Sequence, residues 1–76
     1  MVKELYSVKK GNVVKILGFE GTEISQNAEK FGLEVGQVVK CIGKFGNVVI
    51  ERNHQQIAIG KTFAKNISVE VIEKAS

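Results

Sequence analysis

The sequence predicts an all-β fold, a small closed or nearly closed barrel of about five strands with one short helix between the first and second strands. Three observations carry this. Eight glycines and no proline cut the chain into pieces of strand length. Those pieces are rich in β-branched residues and alternate, as in Asn12–Phe19 (NVVKILGF) and Ile67–Ile72 (ISVEVI). Only Ser25–Phe31 repeats its apolar residues at helical spacing, through Ile24, Ala28 and Phe31.

Taken in order, Asn12–Phe19 is the first strand, and Gly18 inside it predicts a bulge or tight bend. Ser25 is placed to cap the helix with its hydroxyl, and Gly32 to stop it in the left-handed conformation. Gln37–Ile42 is the second strand, with Val39 and Cys41 on one face. Residues 43–47 (GKFGN) form a hairpin connection, and Val48–Arg52 pairs back with Val48 and Ile50 inward. Asn53-His54 turns the chain into Gln55–Ile59. Lys61–Asn66 has room for a single 3₁₀ or α turn, and Ile67–Ile72 is the last strand. Closing five strands into a barrel would remove the exposed edges of an open sheet. The inward set is Ile16, Phe31, Leu33, Val39, Cys41, Ile50, Ile57, Ile59, Ala64, Ile67 and Val69.

Residues 1–76 are read as one domain with a thin core. The net charge of +3 is compatible with an anionic partner without demanding one. A lone Cys41 allows no internal disulfide, and a domain this small in an oxidising compartment usually needs staples, so a cytoplasmic home is expected. The N-terminus MVKELYSVKKG lacks the apolar core of a signal peptide, and no apolar run approaches a membrane span.

The residues offer little chemistry. The chain has one His, one Cys and no Asp. A nucleophilic arrangement would need His54 as its base, and His54 stands in the polar turn ERNHQQ. Cys41 lies on an apolar strand face and reads as a buried structural thiol. No enzyme, no cofactor and no metal site is therefore expected. The two GxxG segments at 18–21 and 43–46 open no helix and are not phosphate loops. KKGNVVKILGFEGTE resembles the KOW motif of ribosomal and elongation proteins, which makes an RNA- or ribosome-binding barrel the alternative reading. Against it, the lysines are dispersed among glutamates, and only Phe19 and Phe45 are placed to stack on bases. A contact module remains. Phe45 and Val35 sit beside glycines in predicted loops, where they either meet a partner or fold over the barrel ends.

Residues 8–72 resemble the FeoA family, the small component of bacterial ferrous iron uptake. The resemblance rests on Lys10-Gly11, the anchors Ile16 and Phe19, the short helix, and the signature Gly32-Leu33-Glu34-Val35-Gly36. It continues through Ile57-Ala58-Ile59 and the closing series Ala64, Ile67 and Val69. Val35 stands where the family usually has proline, and the helix SQNAEKFGL lacks the family's arginine and leucines. The resemblance implies an SH3-like barrel and a non-catalytic cytosolic adaptor that contacts FeoB, the membrane permease with a cytosolic GTPase domain. Similar domains end metal-dependent repressors of the diphtheria-toxin-repressor type, but a 76-residue chain lacks their DNA-binding domain, which favours the transport accessory. The expected partner contacts are Phe31, Leu33 and Val35 of the signature turn and Lys44 and Phe45 of the hairpin tip. Phe31 and Leu33 serve equally well as core residues.

Overall fold

The computed structural model describes residues 2–74. Six strands form one sheet: β1 (Val2–Glu4), β2 (Val13–Phe19), β3 (Val38–Phe45), β4 (Asn47–Arg52), β5 (Gln55–Ile59) and β6 (Ile67–Glu73). Every pairing is antiparallel, in the order β1-β6-β2-β3-β4-β5. Two helices, α1 (Thr22–Lys30) and α2 (Lys61–Lys65), and a 3₁₀ turn at Leu5–Ser7 complete it.

Two expectations are corrected here. The strand count is six, because Val2–Glu4 pairs with β6 through Lys3 and Val69. The short helix therefore follows the second strand. The sheet is also open, since β1 and β5 pair with one neighbour each. Helical turns bridge this gap in place of backbone pairing. The 3₁₀ turn follows one edge strand, α2 follows the other, and the two pack together.

That seam explains the N-terminal segment. Leu5 and Val8 are three residues apart, so a 3₁₀ turn puts both on one side. Both are buried, and they extend the core of Val14, Ile16, Ala28, Leu33, Val39, Cys41, Val48, Ile50, Ile59, Ala64, Ile67 and Val69. Phe31 and Ile57 leave the predicted inward set: Phe31 is exposed, and Ile57 is half-buried against the core.

Helix α1 begins at Thr22, three residues before the predicted start. Gly21, at φ +92°, takes the N-cap position and turns the chain out of β2 into the helix, so Ser25 lies inside the first turn and caps nothing. The pairing of β2 with β6 shifts register between Ile16 and Gly18, where the glycine predicts a bulge. The hairpin after β3 is tighter than the sequence suggests. Strand β3 runs on to Phe45, which pairs with Asn47, so Gly46 at φ +79° is the whole turn. At the next hairpin Asn53 and His54 both take positive φ (50° and 67°), as a two-residue loop matching strand twist requires.

Candidate functional site

The signature turn is a product of how α1 ends. Phe31 is its C-cap and Gly32 follows at φ +74°. Gly32 N–H donates to the Glu29 carbonyl (3.0 Å) and Leu33 N–H to the Ala28 carbonyl (2.9 Å). This is the Schellman pattern, and Leu33 and Ala28, the positions that it brings together, are both buried in the core. Arg52, at the end of β4, adds a cap from outside the helix. Its Nη1 donates to the carbonyls of Gly32 and Phe31. A guanidinium is well suited to helix-end carbonyls, whose partial charge is negative.

The turn is then fastened to β2. Gly36 N–H donates to the Ile16 carbonyl (2.7 Å), and Ile16 N–H donates to that of Gln37 (2.9 Å). The Gln37 side chain closes the loop from inside: its amide donates to the Gly32 carbonyl and its Oε1 accepts from Glu34 N–H, both at 3.4 Å. The result is a hydrogen-bonded ledge with Val35 standing out at 63% exposed. Beside it lies an open groove of about 440 Å³, lined by Phe19, Ser25, Glu29, Leu33 and Val35 among others.

The expected contact residues fall into two groups. Phe31 is 45% exposed and meets the Phe63 ring edge-on, with centroids 5.7 Å apart. Phe31 and Val35 thus lie at the ledge with Val38, which is also exposed. Leu33 is 1% exposed, so its side chain holds the ledge from below and leaves the surface set. Lys44 and Phe45 are at the far end of β3, roughly 24 Å along the strand at about 3.4 Å per residue. Phe45 is 85% exposed, its ring lying over Gly43, where a Cβ would come within 3.1 Å of it. Lys44 points to the opposite face of the strand and places its Nζ 5.0 Å from the centre of the Tyr6 ring. Neither Arg52 nor Tyr6 is marked by any sequence motif. The i, i+3 spacing of Leu5 and Val8 was the one available sign that the N-terminus folds against this end.

Cys41 and His54 are not brought together: the thiol is in the core and His54 is exposed at the β4–β5 turn. Burial pushes the Cys41 thiol above its ordinary value of 9.0, opposed by backbone hydrogen bonding at Gly43 and by the charge of Lys44. Stability should therefore be level below that value and decline as pH rises past it, because the unfolded chain ionises its thiol first. Denaturant titrations on either side of pH 9.0 check this: Cys41→Ala should flatten the decline, and an unchanged slope would contradict it. Among the described residues, no three of His, Cys, Asp or Glu converge to hold a metal, and no helix is long and apolar enough to cross a membrane.

The FeoA domain family matches residues 3–71, which include the ledge, the hairpin and both seam-closing turns. The chain belongs to the FeoA family. Its fold is the SH3-like fold of FeoA structures. It superposes on the crystal structure of an iron uptake regulatory protein, FeoA, with a TM-score of 0.83 at 24% identity, covering 92% of this chain and 96% of that one. It is also similar to the solution structure of a FeoA-like protein from Clostridium acetobutylicum, with a TM-score of 0.87 at 20% identity, covering 99% and 92%. The same FeoA fold recurs in T. acidophilum IdeR, with a TM-score of 0.84 at 21% identity, where it covers 92% of this chain and 34% of that one. No curated protein sequence matches the chain.

Proposed function

We propose that this FeoA domain is a non-catalytic, cytoplasmic adaptor that contacts a FeoB-like permease through its hairpin tip. Family membership carries a role in ferrous iron transport at the family level. The observation behind the tip is Phe45. It projects at 85% exposure from a hairpin whose turn is one residue, so a large apolar ring is held out at little entropic cost on binding. Aromatic residues presented this way are the usual anchors of protein interfaces. The Phe31–Val35 ledge is a second apolar contact region, at the other end of β3. A partner reaching both must span that strand, which fits a cytosolic domain better than a short peptide.

Phe45→Glu tests the tip. Its fold should be unchanged, since Phe45 contributes almost nothing to the core. Its affinity for the detergent-solubilised permease should fall by at least about 30-fold, the loss expected on removing an interface anchor. Undiminished capture of the permease by a folded Phe45→Glu protein would remove the tip from the interface.

A further inference from the structure

We infer that Tyr6 and three lysines form a basin that binds an acidic segment of a protein partner. Lys44 of β3 and Lys61 and Lys65 of α2 place their Nζ atoms 5.0, 5.6 and 5.5 Å from the centre of the one Tyr6 ring. No two of these nitrogens can be farther apart than twice the longest of those distances. That separation is comparable to the screening length of about 8 Å at physiological salt, so their charges add. Three elements distant in sequence bring them together: the 3₁₀ turn, the tip end of β3 and the seam helix α2.

Convergence of three cations is unfavourable for folding on its own. The Tyr6 ring offsets part of the repulsion through its negative face. All three lysines are exposed, and among the described residues none of them forms an ion pair with a carboxylate. Three converging cations with no ion-pair partner among the described residues are complementary to an external anion.

The geometry favours carboxylates on a peptide. Alternate side chains of an extended acidic segment stand about 7 Å apart, a spacing that cations ringed around one aromatic can meet. Nucleic acid fits less well. Tyr6 is half-buried with ammonium groups over its ring, so it offers no free platform for stacking a base. This inference rests on the hairpin-tip reading only through Lys44, which both share, and its test needs no permease.

Tyr6 is the sole tyrosine of a chain without tryptophan, so intrinsic emission reports on the basin directly. Titration of the full chain with hexaglutamate should change that emission saturably, and added salt should weaken the response. Replacing Lys44, Lys61 and Lys65 together by Gln should weaken binding about ten-fold or more, and replacing them together by Arg should preserve it. Circular dichroism and thermal unfolding establish that both triple variants are folded. Absence of a saturable response, or equal binding by the Gln variant, overturns the basin. A stronger response to a uridylate oligomer makes the ligand a nucleic acid and overturns the acidic-peptide assignment. Equal saturation by inorganic phosphate makes it a small-anion site and overturns it as well. Binding of hexaglutamate without capture of the permease upholds the basin and removes only the permease. Capture of the permease by the Gln variant at full strength, with hexaglutamate binding lost, removes the basin from that interface and leaves the tip reading intact.

Discussion

Leu5→Ala should destabilise the protein by about 2–5 kcal/mol, the usual cost of truncating a fully buried leucine. For a domain of this length the total stability is roughly 4–11 kcal/mol, so the variant would be close to unfolding. The reason is the position of the side chain. Leu5 is completely buried although it directly follows an edge strand, in the turn that packs against α2 where the sheet fails to close. No backbone ladder joins β1 to β5, so side-chain packing alone seals the core at that seam. Val2→Ala, in the same segment but 64% exposed, is the matched control and should change stability by less than about 0.5 kcal/mol. Urea unfolding measures both. If Leu5→Ala proved as mild as Val2→Ala, the N-terminal segment would be an appendage to the core.

Gly32→Ala should cost about 2–3 kcal/mol through two separable effects. An L-residue at φ +74° loses roughly 1–2 kcal/mol to steric conflict with its own backbone. The added Cβ would also stand 2.9 Å from Arg52 Nη1, so the guanidinium must swing away and the end of α1 loses that cap. Gly36→Ala separates the two effects. Gly36 has φ +90°, and a Cβ there meets no atom within 4 Å, so only the backbone cost applies. The excess of Gly32→Ala over Gly36→Ala measures the Arg52 cap, and it should vanish when both substitutions are made on an Arg52→Ala background. Equal costs for the two glycines in the presence of Arg52 would show that the guanidinium contributes nothing. Because Leu33 and Val35 follow directly, the same substitution should also loosen the ledge and enlarge its groove.

Much of this architecture is legible in the chain. Alternation in β2 and β6 identifies the faces of Ile16, Ile67 and Val69, because strand periodicity is a local property. Gly32 announces its left-handed turn for the same reason: the residue type and the conformation belong to one position. The short first strand has no such signal. Three residues with no internal alternation become a strand only because β6 offers an edge to pair with. Phe31 shows the opposite failure. Its spacing from Ala28 places it on the inner side of α1, but the helix ends there, and the ring lies out against Phe63.

The candidate contact residues divide along the same line. Residue order places Phe45 in a hairpin connection but leaves open whether it meets a partner or folds over a barrel end; its exposure rules out the second. Leu33 could not be told from its neighbours Phe31 and Val35, since all three are apolar and flank the glycines of one turn. The hydrogen bond from Leu33 to Ala28 drives that side chain inward and turns Val35 out. The strand-rich class, the positions of most turns and most of the inward faces can be read from residue order, since those follow from interactions between near neighbours. Residue order does not show that the sheet stays open, that Leu5 seals it, that Arg52 caps α1, or that Lys44, Lys61 and Lys65 meet around Tyr6. Each of those joins residues distant along the chain, and such pairings are set by packing of the whole fold.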